Sequence, residues 1–287
     1  MRRTNPMLIL ALLLVAAGAI FILLEKDDTN SIEIPRDDAA HNDIEPITDD
    51  TEEEPEEDEA PAEIPAADLT WAIERYAGKE IIKVSTTEKA VALTFDAGAN
   101  ADGVDKVLSI LAASDIKGTF FLTGKFIEKY PDKVKAIVAS GGDIGNHTYD
   151  HPYLTGLTSE RIGEEIRSAE LALEEGAAAE FRPLLRSPYG DRNQSTMKSV
   201  SDNGYINIRW TVDSLGWKGT SGGQTKDTVR DKVLKASSPG AIIMMHLGSN
   251  PDDKTHLDSQ ALPEIIAQLK ADGYEFMTLS ELIELEK

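Results

Sequence analysis

The sequence predicts an α/β barrel of roughly seven strand–helix units over residues 69–287, placed behind an apolar N-terminal segment and an acidic spacer. Three observations carry that reading. From about Lys89 onward, short apolar runs alternate with amphipathic stretches of helical length, which is the pattern of parallel strands covered by helices. These units show no internal sequence repeat, and their number suits a barrel better than a short open sheet. Polar residues capable of chemistry, Asp96, His147, Arg186, Asp213 and His246, each fall at or just beyond the end of an apolar run. A parallel barrel gathers such strand ends on one face.

In chain order, Met7 to Leu24 form an uncharged apolar run of 18 residues behind Arg2 and Arg3, long enough to cross a bilayer. The arginines favour a cytoplasmic N-terminus, so residues 1–24 are expected to be a single-pass anchor in the cell membrane, with the remainder extracytoplasmic. A cleaved signal peptide and secretion is the competing reading, because Ala17-Gly18-Ala19 has the small-x-small form of a cleavage site. The apolar run continues past that site to Leu24, which favours the anchor.

Residues 25–68 carry 19 acidic residues against Lys26 and Arg36, a net −17, with prolines and no Phe, Trp or Tyr. Such a composition buries too little apolar surface to offset its ordering entropy. The segment is therefore expected to be a disordered linker, extended by self-repulsion, that holds the following domain away from the membrane. With that −17 and the two N-terminal arginines removed from the chain's −22, residues 69–287 keep −7, which offers nucleic acid no basic surface. The chain has no cysteine, which excludes disulfides, thiolate-ligated zinc and a lipidated cysteine.

Residues 69–88, with Trp71 and the run Ile81-Ile82-Lys83-Val84, are expected to pack on the outside as a lead-in. Strands are expected at VALTFD, GTFFLT, DIGNHT, YINIRWT, GAIIMMH and YEFMTL. Helices are expected at DGVDKVLSILAAS, SERIGEEIRSAELALEEG, DTVRDKVLKAS and ALPEIIAQLKADG, where apolar residues recur three and four positions apart.

Asp96, in TFDAGAN, ends a strand-like run at a glycine turn and reads either as a catalytic base or as a capping aspartate. In NHTYDHP, His147 and His151 stand four apart, so one helical turn would aim both imidazoles the same way; Pro152 discourages the turn from continuing. That spacing suits a two-histidine metal site, or equally two loop histidines bonded to nearby carbonyls. Asp143 and Asp150 are candidate partners of those histidines or plain loop caps. Arg186, before Pro188-Tyr189-Gly190, can hold its guanidinium against a carboxylate while the stiff turn aims a backbone N–H into a cleft, or it is a surface residue. His246 closes a fully apolar strand, where a histidine serves as general acid or as a cap. Asp213 and Trp217 share the same rim, the tryptophan as a pocket wall or as packing. His41 falls in the linker, and His256 is expected to be solvated.

Together and in this order, these elements resemble the polysaccharide deacetylases, the NodB-homology domain of carbohydrate esterase family 4, over about residues 88–282. TFDAG resembles the family's Thr-Phe-Asp-Asp-Gly except at Ala97. His147-Thr148-Tyr149-Asp150-His151 meets His-Ser/Thr-x-x-His, and Arg186-Ser187-Pro188-Tyr189 meets Arg-x-Pro-Tyr/Phe. Asp213-Ser214-Leu215-Gly216-Trp217 matches Asp-x-x-Asp-Trp without its second aspartate, and Met244-Met245-His246 stands at the Leu-x-His motif.

The resemblance implies a distorted (β/α)7 barrel, NodB-like, and a divalent metal, usually zinc, with cobalt as a further candidate, used to remove N-acetyl groups from sugars of a cell-wall polysaccharide. It implies His147 and His151 as metal ligands, with the family's aspartate ligand replaced by Ala97 and the metal correspondingly weakly held; Asn100 or Asp102 is a candidate replacement. It further implies Asp96 as base, Arg186 as its orienting partner, His246 as acid and the Tyr189 backbone N–H as oxyanion donor. Trp217 and Leu247 would line the acetyl slot, and Asp213 is a candidate stand-in for the carboxylate missing at Gly216. Two readings follow: an active N-deacetylase of peptidoglycan or chitin-like substrates, and a carbohydrate-binding pseudoenzyme that lost catalysis with those two carboxylates.

Overall fold

The computed structural model of the chain describes residues 67–287, so the expected anchor and almost all of the expected linker lie outside the described residues. Asp68 already belongs to the folded part. Its carboxylate accepts the backbone N–H of Thr70 at 3.0 Å, together with the Thr70 hydroxyl, at the head of helix α1 (Thr70–Arg75).

Among the described residues there are nine strands: β1 (Glu80–Ile81), β2 (Ala90–Ala97), β3 (Thr119–Leu122), β4 (Asp143–Asn146), β5 (Leu184–Leu185), β6 (Ile206–Ile208), β7 (Val212–Asp213), β8 (Ala241–His246) and β9 (Glu275–Phe276). Between and after them run α2 (Val104–Ala113), α3 (Gly124–Lys129), α4 (Pro131–Ala139), α5 (Ser159–Ala177), α6 (Gln194–Asp202), α7 (Lys226–Ala236), α8 (Leu257–Ala271) and α9 (Leu279–Glu284). No helix of the described residues is long and apolar enough to cross a membrane. Each of the six expected strand runs contains a strand. Four of the nine strands are only two residues long, too short to leave a period in the sequence, which is why seven units were expected.

All ladders between these strands are parallel, in the order β1-β6-β5-β4-β3-β2-β8-β7, with β9 beside the first two residues of β2. The lead-in is thus not merely an outer layer, since β1 extends the sheet alongside β6. The sheet curls with its strand twist into a partial barrel whose two end strands share no ladder. The chain following β1 reaches β8 instead, through the antiparallel bridge of Lys83 with Ala241 and a 2.9 Å bond from Val84 N–H to Gly240 C=O.

That contact depends on Gly240, whose φ of +78° lies in the left-handed region and whose added Cβ would collide with Val84 C=O. Gly240→Ala is therefore expected to lower unfolding free energy by more than about 1 kcal/mol. A shift in urea midpoint at unchanged slope would show it, and an unshifted midpoint would refute it.

Strand β2 is buried along its whole length because both faces are covered. Val91, Leu93, Phe95 and Ala97 join the outer core with Val104, Val107 and Leu111 of α2 and Leu262 and Ile265 of α8. Ala90 and Ala92 face the inner core with Phe121, Leu184 and Ile242. With side chains alternating across a strand, Thr94 and Asp96 continue that inner face, and its positions are small or polar. They leave room for Arg186, which is fully buried and ranks among the largest such side chains. Helix starts follow the sequence chemistry, with Thr158 capping α5 and Thr225 and Thr278 forming capping boxes on α7 and α9. Helix α8 begins a turn earlier than its apolar period suggests, at Leu257, and runs through Pro263.

Candidate active site

The parallel register places Asp96 and His246 side by side at the ends of β2 and β8. His147 and Arg186 each follow the last residue of β4 and β5, the paired Asn146 and Leu185. A cavity of about 620 Å³ opens above these strand ends, lined by Asp96, His147, His151, Tyr189, Trp217 and His246 among others.

Asp96 is buried, and its two oxygens face different partners. Oδ1 accepts from an Arg186 Nη at 2.6 Å, and Oδ2 lies 3.7 Å from His147 Nε2. The second Nη of Arg186 donates to Thr94 Oγ1 at 2.9 Å and to the Arg209 carbonyl at 3.2 Å, while the guanidinium sits 4.1 Å over the Phe121 ring. Burial pushes the Asp96 carboxyl up, but Arg186 foremost, then His147 and His246, hold it below the ordinary carboxylate range. Asp96 is therefore no capping residue.

The loop from His147 to His151 is not the helical turn that its spacing suggests. Thr148 and His151 have φ of +67° and +59°, a conformation that costs a non-glycine residue about 1–2 kcal/mol. The buried Glu165 of α5 holds the loop by accepting the N–H groups of Tyr149 at 3.1 Å and Asp150 at 2.8 Å. The two imidazoles consequently meet edge to face, 4.8 Å between centroids.

The His147 ring bonds to the Arg186 carbonyl through Nδ1 at 2.7 Å, so Nδ1 carries the proton and Nε2 is left as the acceptor. Burial keeps both rings neutral: it lowers His147 against the pull of Asp96, and it pushes His151, with help from His147, down to about 3. Asp143 and Asp150 are not partners of these rings. Asp143 lies at the opposite end of β4, accepting the Ser280 N–H at 2.7 Å, and the half-exposed Asp150 pairs with Lys125.

The donor chemistry fits a divalent metal in type: two neutral imidazoles, one with its tautomer fixed by a carbonyl, beside an ionised carboxylate. It falls short in number. No group of three His, Asp or Glu able to hold a metal occurs among the described residues. The expected replacements are committed elsewhere. Asn100 Oδ1 accepts the N–H groups of Ser249 at 2.9 Å and Asp102 at 3.2 Å, and Asp102 accepts from the Ser249 hydroxyl. Neither Asn100 nor Asp102 lines the cavity.

Tyr189 also adopts a left-handed φ, +58°, and its N–H has no hydrogen-bond partner among the described residues. Its exposed ring stacks on Tyr153 at 4.1 Å and meets His151 edge on at 4.5 Å. On the other rim, Trp217 lies 6.3 Å from His246. Asp213 does not reach the space at Gly216, because its oxygens accept the Leu215 N–H at 2.8 Å and the Trp217 indole N–H at 3.4 Å.

Leu247 is not on the cavity wall. Side chains alternate along β8, so His246 and Met244 face inward while Leu247 packs into the outer core with Ile243 and Met245. Met244 and Trp210 line the cavity where Leu247 was expected. His256 is mostly buried rather than solvated: its Nε2 bonds to the His246 carbonyl at 3.0 Å and its Nδ1 accepts the Ser259 N–H at 3.3 Å. Asp258, two residues on, accepts the His246 N–H at 3.0 Å. The sequence carried no periodic or motif signal for His256 or Asp258.

Comparison with known proteins accords with this geometry. Residues 83–208 match the polysaccharide deacetylase family. A peptidoglycan-N-acetylglucosamine deacetylase of Bacillus cereus is 37% identical over 199 residues, covering 69% of each chain. The structure of PdaA from Bacillus subtilis, a family 4 carbohydrate esterase, superposes with a TM-score of 0.67 at 30% identity, covering 76% of this chain and 90% of that one. A family 4 pseudoenzyme from Bacillus anthracis gives a TM-score of 0.66 at 28% identity over 73% and 70% of the two chains, and a mutant of it is described as having restored activity. The chain belongs to the polysaccharide deacetylase family.

Proposed function

We propose that the chain is a metal-dependent hydrolase that removes N-acetyl groups from peptidoglycan, with Asp96 as base and His246 as acid. One observation carries the reading: an ionised carboxylate and an imidazole stand at equal register on adjacent strands and face one cavity, the placement that base and acid need on either side of an amide. The named activities of the relatives from Bacillus cereus and Bacillus subtilis support the acetylated glycan as substrate.

In this reading His147 and His151 would hold a divalent metal, zinc or cobalt, and the chemistry it would supply is polarisation of the acetyl carbonyl and acidification of a water. Asp96 accepts the proton of the attacking water. Arg186 keeps Asp96 anionic and aims it, and the free Tyr189 N–H donates to the developing oxyanion. His246 donates a proton to the departing sugar amine, which leaves acetate and a free amine. The Tyr153–Tyr189 stack and Trp217 offer flat apolar faces on opposite rims, suited to sugar rings. Residues 7–24 hold the enzyme in the membrane, and the acidic linker gives the domain reach into the wall.

The test is acetate release from N-acetylated glycan oligomers by the full-length protein in mild detergent, with zinc or cobalt supplied. Asp96→Asn is expected to reduce release by a factor of about 10²–10⁴. A second reading, the carbohydrate-binding pseudoenzyme, is favoured by Ala97 and by the likeness to the Bacillus anthracis protein. Oligomer binding with no release above that of Asp96→Asn would decide for it.

A further inference from the structure

His246 is held from one place on both sides. The N-terminal turn of α8 supplies His256 to its carbonyl and Asp258 to its N–H, so both backbone groups of the residue are fixed by a single helix start. Asp258 is 2% exposed, and its Oδ2 lies 3.9 Å from His246 Nδ1, inside ion-pair range. The Nδ1 atom of His246 and Oδ1 of Asp258 are buried without hydrogen-bond partners among the described residues. A buried polar atom without a partner is costly, and a proton on Nδ1 directed at the carboxyl group would relieve that cost.

The location of Asp258 is as informative as its contacts. A Cβ built on Gly216 would lie 2.5 Å from Asp258 Cγ and closer still to Oδ1. The carboxyl group therefore occupies the volume that a side chain at position 216 would need. The carboxyl group that the family motif places at the Gly216 position is supplied to the same space from a helix 42 residues further along the chain.

We propose that Asp258 is the positioning residue for His246, taking in space the place of the carboxylate absent at Gly216. It turns Nδ1 inward and leaves Nε2 to the cavity, and it stabilises the protonated ring that acts as acid. The inference rests on the reading of His246 as proton donor. Burial pushes the Asp258 carboxyl above its ordinary range, and His246 is the main group opposing that push. The other titratable groups around His246 are Asp96 on β2, Asp213 on β7, His147 and His151 in the loop after β4, and His256 behind its carbonyl.

The experiment is a pH titration of the His246 Cε1 signal by NMR, on metal-free full-length protein labelled with ¹³C at histidine Cε1. Asp258→Asn keeps the shape of the side chain, and its Oδ can still accept the His246 N–H. It is expected to lower the His246 midpoint by about one pH unit or more. Gly216→Asp combined with Asp258→Gly returns the carboxylate from the other side and is expected to restore most of that shift. An Asp258→Asn midpoint equal to that of the wild type would overturn the proposal. So would a lowered midpoint that the double variant, folded by its amide spectrum, leaves lowered. The readout is independent of catalysis. A protein that releases no acetate while His246 answers to Asp258 removes only the hydrolase reading; an active protein whose His246 ignores Asp258 removes only this one.

Discussion

Replacing Arg186 with methionine is expected to destabilise the protein by about 3–5 kcal/mol near neutral pH, because it strips the partner from a buried carboxylate. The pH dependence identifies the cause. In the wild type, Asp96 titrates below its ordinary range, so its contribution is complete above the unfolded value, near 3.9, and is lost only as pH falls through the lower folded one. In Arg186→Met, burial without the guanidinium raises the folded value above the unfolded one. Stability should then fall as pH rises from about 4 through that raised value, the reverse of the wild-type trend. Urea unfolding at pH 5 and pH 7.5 checks it. An equal loss at both would assign the effect to lost packing over Phe121 and at Thr94 instead of to the charge.

The second large effect is a gain. Ala97→Asp restores the carboxylate that the family motif carries at the last residue of β2, where Ala97 packs with the outer core. If the strand end turns it toward the two imidazoles, it is expected to tighten zinc by at least the ten- to hundredfold that outer-shell partners are worth. Ala97 is fully buried, so the new carboxylate is unfavourable without the metal. The variant should therefore be less stable than the wild type in chelator and recover with zinc, by about 2.7 kcal/mol when zinc is a hundredfold over its dissociation constant. Calorimetric zinc titration and thermal unfolding with and without chelator test this, and acetate release should rise in parallel. An unchanged zinc affinity would show that position 97 does not address the ion.

Much of this site could be read from the chain because it sits at strand ends. Asp96, His147, Arg186 and His246 each terminate or follow a recognisable apolar run, and parallel topology does the rest. The outward orientation of Leu247 is legible in the chain as well: if His246 faces inward, its strand neighbour faces outward. The geometry of His147 and His151 was not available, since equal spacing arises from a helical turn or from a loop with two left-handed residues gripped by Glu165. Asp258 was less accessible still. A charge supplied by the first turn of a distant helix obeys no local pattern, and only the collision with a side chain at Gly216 exposes it.

The Asp96–Arg186 pair bears on how relatives of this chain should be judged. Arg186 fills the inside of the barrel and is neutralised there by Asp96, so the two support the fold whatever chemistry they do. A descendant with no activity would still be under pressure to keep them, because discarding either alone leaves the other charge buried without its partner and destabilises the fold. Their survival in a sequence is therefore poor testimony about catalysis. The informative witnesses are groups that the fold can spare, namely the exposed Tyr189 and Trp217 and the second imidazole at His151, and a genuine hydrolase in this family should be recognised by those.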